Sequence, residues 1–216
     1  MLPGCLFASA LAWAATAAGS SSFHGAAYRE NVLQPHEFKL LQIEANKVKT
    51  QMKREKNSIA TKRLGLRLDK RSHATRALLQ SPRVQNMVAD ITRQKIQPLD
   101  YPIELRNYPI GSSMNWHQDD LLTQPPQLEC IFTLENTSDS FTEWRHSDGT
   151  TESIWTLPNS LLIMLAGPLG PIHRVTTVRR GERSILKFAL VNECVTKQEG
   201  FEEHINSFPV ARDKRR

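Results

Sequence analysis

Cysteine is scarce in this chain, with only Cys5, Cys130 and Cys194 among its 216 residues. Three cysteines cannot build a disulfide framework, and their spacing lacks the close pairs of a structural zinc site. The sequence therefore excludes a small domain held together by disulfides or zinc. Cys130 and Cys194 lie in apolar, strand-like runs, so we expect two buried thiols. One disulfide between them is the alternative.

Long hydrophobic runs are also missing. The most apolar segment, residues 1–19, is shorter than the ~20 residues of a membrane-spanning helix, so we expect no stable span after processing. No acidic residue precedes Glu30, and small residues end the segment as at a signal-peptidase site. We predict a signal or targeting segment over residues 1–22, which leads to the secretory pathway and the endoplasmic reticulum. Because this segment has no Lys or Arg, an organelle presequence or a buried N-terminal helix stays open. A glycosylation sequon at Asn136 would matter only in the secretory pathway.

Acidic residues are the minority among the charged side chains, 22 against 28 Lys and Arg, which gives a formal net charge of +6. Basic residues are densest over residues 47–76 and at residues 212–216. An excess of this kind suits a nucleic acid or another acidic partner. No stripe of aromatic and basic residues typical of base handling is visible, so we favour a solvated basic helix face and disfavour nucleic acid. The length fits one domain with a sizeable core.

The N-terminal part of the chain has a helical period. Apolar residues recur every three or four positions over residues 35–57, which predicts an amphipathic helix. Ser81 followed by Pro82 is typical of an N-cap and a first helical turn, and predicts a second helix that ends near Lys95. A short helix is expected over residues 74–79. We assign residues 23–98 to a helical support region.

From residue 99 the pattern changes to short alternating runs separated by turn residues. Strands are predicted over residues 101–108, 127–134, 153–157, 161–165, 172–178 and 184–191. Many short strands that follow helices predict an α+β chain in which residues 99–195 form a double-stranded β-helix, or jelly roll. Residues 196–216 are expected to form a basic C-terminal tail.

Two His-x-Asp triplets are candidate metal ligands, one at His117 and Asp119 and one at His146 and Asp148. Alternate side chains of a strand point to one face, so either pair could meet an ion from one side. Asp148 and the glycine that follows it are typical of a hairpin tip, where nothing fixes ligand geometry. We therefore favour His117 and Asp119.

A third metal ligand and an anion-binding residue follow later in the chain. His173 begins a predicted strand, and Arg183 lies ten residues further on. Two histidines and one carboxylate on one face of a metal are the ligand set of non-haem Fe(II) oxygenases. The planar guanidinium of Arg183 suits a carboxylate. An iron centre with such a neighbour predicts a 2-oxo acid cosubstrate with a distal carboxylate.

The spacing of these residues resembles that of the 2-oxoglutarate/Fe(II)-dependent dioxygenases, and among them the prolyl 4-hydroxylase type. Those enzymes carry Tyr-x-x-Gly ahead of His-x-Asp, with nine residues from Tyr to His, as Tyr108, Gly111 and His117 do here. They also carry His-x-Val-x-x-Val-x-x-Gly-x-Arg, which residues 173–183 match throughout. The resemblance covers about residues 100–191.

The resemblance implies a site and a chemistry. Fe(II) would bind the catalytic residues His117, Asp119 and His173. The far carboxylate of 2-oxoglutarate would bind Arg183 and the hydroxyl of Tyr108, with L-ascorbate as the reductant. Dioxygen would be consumed, succinate and carbon dioxide released, and a protein or peptide substrate hydroxylated, with proline as the expected target.

The substrate side departs from the family pattern. Met114 stands where the family often has an aromatic residue, and residues 139–155 are polar where it often has a Gly-Gly-x-Thr segment. Small molecules, alkylated nucleic acid or a non-catalytic jelly-roll binding module are therefore the alternatives to a protein substrate. Residues 139–155 could form a substrate lid or a solvated hairpin. We expect Gly111 to permit a tight turn and Trp116 to be a core aromatic.

Overall fold

A computed structural model of the chain describes residues 23–56, 58–68, 72–146 and 148–206. The predicted targeting segment at residues 1–22 and the end of the predicted basic tail lie outside these ranges. The helices within them are α1 (Pro35–Val48), α2 (His73–Leu79), α3 (Pro82–Thr92) and α4 (Phe201–Asn206). The strands are β1 (Ala26–Arg29), β2 (Lys53–Arg54), β3 (Ala60–Thr61), β4 (Leu64–Arg67), β5 (Ile96–Pro98), β6 (Glu104–Tyr108), β7 (Ser113–His117), β8 (Thr123–Gln124), β9 (Leu128–Asn136), β10 (Thr142–Arg145), β11 (Thr151–Ile154), β12 (Ser160–Leu165), β13 (Ile172–Val175), β14 (Arg183–Asn192) and β15 (Thr196–Lys197).

Antiparallel strands build two facing sheets. The larger sheet has the order β1-β12-β9-β14-β6-β4-β2, with β5 also paired to β14, and the smaller has the order β11-β10-β13-β7-β3. Between β6 and β14 the chain passes repeatedly from one sheet to the other, which is the winding of a double-stranded β-helix. Side chains of both sheets pack together between them, as Trp144 does with Leu162 and Met164. The predicted jelly roll is confirmed.

Helices α1, α2 and α3 cover the outer face of the larger sheet. Leu41 of α1 and Val88 of α3 are fully buried in one cluster with Phe132 and Phe188 of the sheet. Each such side chain contributes about 1.5–3 kcal/mol through burial. Nine of the ten residues of β14 are buried, because helices cover one face of this strand and the smaller sheet faces the other. One set of alternate β14 side chains therefore reaches the space between the sheets.

The predicted helices are present, with different ends. Ser81 accepts a hydrogen bond from the Val84 amide at 3.4 Å, as an N-cap does, and the helix it starts ends at Thr92 rather than near Lys95. The first helix ends at Val48, not at residue 57, because the chain tightens into a 3-10 turn and then pairs with β4 as an edge strand. The apolar spacing continues through that turn, which is why the period alone misplaced the end.

One prediction about the cysteines is corrected, and the sequon has a structural role. Cys130 is a buried free thiol as expected, but Cys194 is free and exposed, because β14 ends before it in a turn where Asn192 accepts its backbone N–H. The sequon residue Asn136 is buried, and its side-chain nitrogen donates to the Thr156 carbonyl at 2.9 Å. A glycan could not be attached to this nitrogen in the folded chain. Among the described helices, none combines the length and the hydropathy required to cross a membrane.

Replacement of Gly181 by alanine is expected to lower the free energy of unfolding by about 3 kcal/mol. Gly181 has φ +67°, and an added Cβ would lie 2.2 Å from the Thr137 carbonyl oxygen. Gly149 is a matched control, since its φ is +86° but an added Cβ would meet nothing within 4 Å. G149A should cost only the left-handed backbone penalty of about 1–2 kcal/mol. Urea denaturation measures both, and equal losses would contradict the expected clash.

Candidate active site

The three predicted metal ligands lie together at one end of the smaller sheet. His117 ends β7 and stands directly opposite His173 of β13. Asp119 follows two residues after β7, and its Oδ2 atom is 3.6 Å from Nε2 of His173. The possible ligand atoms of the three side chains all lie within 4.8 Å of one another. This is the separation of groups that can share one ion.

A bulge in β7 gives His117 its direction. His117 pairs with His173 and Met114 with Val175, so three steps along β7 face two along β13. A bulge of this kind redirects a side chain, and it lets Met114 and His117 both face the interior. Trp116 is turned to the outer face, where the guanidinium carbons of Arg145 and Arg174 lie 4.2 Å and 4.7 Å from the centroid of its ring. The expectation that Trp116 is a core aromatic is wrong.

Asp119 is held by the loop, although the sequence pattern placed it on the same strand as His117. Its backbone carbonyl accepts the Gly167 amide at 2.9 Å. The buried Gln127 fixes the residues that follow, because it donates to the Asp120 carbonyl at 2.8 Å and accepts the Leu122 amide at 3.1 Å. The sequence pattern could not predict this role of Gln127, since its partners are backbone groups of a loop.

Both imidazoles present the same ring nitrogen to the interior. Nδ1 of His117 is 2.8 Å from the Asn115 carbonyl, and Nδ1 of His173 is 3.1 Å from the Pro171 carbonyl. A carbonyl only accepts, so the proton lies on Nδ1 and the lone pair on Nε2. No described residue hydrogen-bonds to the buried Nε2 of His117. Burial, reinforced by the neighbouring His173, lowers the pKa of His117 to about 4. A neutral imidazole with an unpartnered Nε2, as at His117, fits a metal ion.

A buried lysine, which the sequence patterns did not single out, completes this end of the site. Nζ of Lys187 is 3.0 Å from Oδ1 of Asp119 and 3.3 Å from Oε2 of Glu129. Burial alone would raise the pKa of Asp119, but Lys187 and the two imidazoles hold it well below its usual value. Burial raises the pKa of Glu129. The signal was available, since Lys187 interrupts an apolar strand four residues after Arg183.

Arg183 lies at the other end of the space between the sheets. Its side chain is 1% exposed, and its Nη1 donates to Oγ1 of Thr142 at 2.7 Å. Its buried Nε has no hydrogen-bond partner among the described residues, and no described carboxylate forms an ion pair with this guanidinium. Burial lowers its pKa. A buried cation with an open donor is costly unless an anion binds it.

Tyr108 lies beside Arg183 but its hydroxyl is engaged elsewhere. The Arg183 guanidinium carbon is 6.0 Å from the centroid of the Tyr108 ring. The hydroxyl donates to the Met114 sulfur at 3.1 Å and accepts from Arg63 at 3.2 Å. Its predicted contact with a cosubstrate stays a prediction. The tight turn expected at Gly111 is confirmed by its φ of +83°.

The ligand triad lines an interior cavity, and its chain neighbours line a surface groove. Both ends of the site line one interior cavity of about 40 Å³, with apolar walls that include Ile131, Leu162 and Ile185. This volume holds about three water molecules, so it suits a compact ligand. Outside it, a surface groove of about 830 Å³ passes Gln118 and Ile172, the neighbours of His117 and His173.

The second His-x-Asp triplet is not a metal site. It lies at the tip of the hairpin formed by β10 and β11. Oδ1 of Asp148 accepts from the Thr150 amide at 2.8 Å, and Nε2 of His146 is 3.0 Å from Glu152. In the part of the chain that the structure describes, only His117, Asp119 and His173 form a cluster suited to a metal ion.

Comparisons with known proteins find similarity in structure alone. No family model matches the sequence, and no curated protein matches it.

A prolyl-4-hydroxylase from Pseudomonas putida is 16% identical over 80% of this chain and 95% of its own, with a TM-score of 0.64. A prolyl hydroxylase from Trichoplax adhaerens, in complex with a hypoxia-inducible-factor peptide fragment, is 12% identical over 79% of this chain and 85% of its own, with a TM-score of 0.62. HygX from Streptomyces hygroscopicus, with nickel, 2-oxoglutarate and hygromycin B bound, is 10% identical over 79% of this chain and 84% of its own, with a TM-score of 0.58. At such identities the likeness concerns the fold: the chain has the double-stranded β-helix of prolyl hydroxylases and other 2-oxoglutarate/Fe(II) oxygenases.

Proposed function

We propose that this chain is an Fe(II)- and 2-oxoglutarate-dependent dioxygenase. One observation carries the proposal: a triad of ligand atoms within 4.8 Å and a buried guanidinium with an open donor line the same cavity. A structural histidine would have both ring nitrogens satisfied, and a structural arginine would pair with a carboxylate. Nε2 of His117 and Nε of Arg183 have no partner among the described residues, so both groups are available to ligands. A non-catalytic binding module has no need of this combination.

The residues present fit the two cofactors. His117, His173 and Asp119 would hold Fe(II), and Arg183 would bind the distal carboxylate of 2-oxoglutarate through charge-assisted hydrogen bonds. Bound iron supplies the oxidation that adds oxygen to a C–H bond while 2-oxoglutarate is decarboxylated to succinate and carbon dioxide. The apolar walls of the cavity exclude water around the reacting groups. The nickel and 2-oxoglutarate bound in HygX support this assignment.

The substrate that we propose is a protein or peptide, with proline as the target. The interior cavity of about 40 Å³ has no room for a large substrate beside a cosubstrate. The groove outside it is open to solvent and lined by exposed apolar residues, Leu169 and Ile172, and by Arg145. An open groove suits an extended chain better than an enclosed small molecule. The Trichoplax enzyme with its peptide supports this choice, whereas HygX with hygromycin B supports the small-molecule alternative.

Two assays separate these possibilities. The purified full chain is supplied with Fe(II), 2-oxoglutarate and ascorbate, and succinate is measured. Proline-rich peptides, methylated oligonucleotides and aminoglycosides are then added in parallel and analysed by mass spectrometry. We expect succinate release that peptides stimulate, and a one-oxygen gain on proline. No succinate under any condition would contradict the dioxygenase, and oxygen gain only on aminoglycosides or oligonucleotides would contradict the peptide substrate.

A further inference from the structure

Lys187 is the one buried lysine among the described residues that lies at the ligand triad. It lies on β14 with 9% exposure and lines the cavity together with Arg183. Burying an ammonium group is costly, and a buried group of ions is often no more stable than apolar residues of similar size. Its two partners are Asp119 and Glu129. A buried lysine in contact with a predicted metal ligand points to a function at the metal site.

The two carboxylate oxygens of Asp119 have different partners. Oδ1 lies 3.0 Å from Nζ of Lys187, while Oδ2 lies 3.6 Å from Nε2 of His173. The Asp119 oxygen that pairs with His173 is therefore Oδ2, while Oδ1 is held by Lys187. We propose that Lys187 is a positioning residue that holds Oδ1 and so makes Asp119 a ligand through one oxygen. This inference rests on the proposed function.

The consequence concerns the positions left open on the metal. Three protein ligands that each supply one atom occupy three positions of a six-coordinate ion, and the others stay available to exogenous ligands. If Asp119 supplied both oxygens, it would take one of those positions. The ammonium also repels the divalent ion, so the site accepts weaker metal binding in return for open positions.

Glu129 and Gln127 hold the lysine in place. Gln127 donates to Oε1 of Glu129 at 3.0 Å, and the other oxygen of Glu129 is 3.3 Å from Nζ of Lys187. Gln127 also donates to the Asp120 carbonyl at 2.8 Å. The same side chains thus fix the lysine, its acidic partner and the loop that carries Asp119.

The test measures metal and cosubstrate binding separately. Mn(II) binding to the full chain, and 2-oxoglutarate binding to the Mn(II)-loaded chain, are measured by calorimetry for wild type and K187M. We expect K187M to bind Mn(II) about ten-fold more tightly, because a repelling charge is lost, and 2-oxoglutarate at least about ten-fold more weakly, because Asp119 is free to use both oxygens. K187R should restore part of the wild-type pattern. The absorption spectrum of bound Co(II) should differ between K187M and wild type.

Further variants keep the result interpretable. K187M/E129Q removes both buried charges and should fold even if K187M does not, with the same opposed changes in the two affinities. K49M, which removes a lysine paired with Glu182 on the outer surface at 2.8 Å, should leave both affinities unchanged. Weaker binding of both ligands in the folded variants, or no change in either, would overturn the proposed role. A wild-type chain that binds no Mn(II) would overturn the proposed function together with this inference.

Discussion

Replacement of His117 by alanine is expected to abolish metal binding and to reduce succinate release by at least about 1,000-fold. The free Nε2 of His117 faces Asp119 and His173, and nothing else described supplies a neutral nitrogen at that point. The measurements are Mn(II) binding by calorimetry and succinate release at saturating 2-oxoglutarate. Thermal unfolding checks that the variant is folded, which we expect because His117 ends its strand.

His146 provides the matched control for this variant. It belongs to the second His-x-Asp triplet and pairs with Glu152 at the surface of a hairpin. H146A should retain metal binding and succinate release within about two-fold, since surface substitutions of this kind have small effects. Unchanged succinate release in H117A, or an equal loss in both variants, would contradict the metal assignment.

Replacement of Arg183 by methionine is expected to raise the KM for 2-oxoglutarate by at least about 100-fold. The buried guanidinium has an open donor and no described carboxylate partner, so its charge is available to the cosubstrate. The sharper readout is specificity. The wild-type chain should prefer 2-oxoglutarate strongly over 2-oxovalerate, which has five carbons but no distal carboxylate, and R183M should lose that preference.

Arg174 is the control for a general effect of charge. It lies on the outer face of the smaller sheet and donates to Glu143 at 2.6 Å. R174M should leave both the KM and the preference for the dicarboxylate unchanged. R183M should remain folded, because removal of an unpaired buried charge does not weaken a core. A preference for 2-oxoglutarate that survives in R183M would remove Arg183 from its proposed role.

The sequence predicted the fold and the members of the site because both depend on local patterns. Short alternating runs after residue 99 indicated a jelly roll, and the spacing of His117, Asp119, His173 and Arg183 indicated one pocket. The turn residues around Asp148 correctly placed the second triplet at a hairpin tip. Each motif is short in sequence, residues 108–119 and residues 173–183, and their resemblance to the dioxygenase pattern linked the two.

The misses concern features set by distant contacts. The bulge in β7 depends on the register with β13, so a simple alternation could not show that Trp116 faces outward. The role of Lys187 depends on its contacts with Asp119 and Glu129, which lie far from it in sequence. Gln127 acts through backbone groups of a loop. Sequence patterns identify which side chains can carry chemistry, whereas the structure shows what holds them in place.

Crystals of the full chain soaked in Mn(II) would test the account most directly, through anomalous difference density. We predict one strong peak within bonding distance of Nε2 of His117, Nε2 of His173 and Oδ2 of Asp119. No peak at these three atoms, or a peak at His146 and Asp148 in their place, would contradict it.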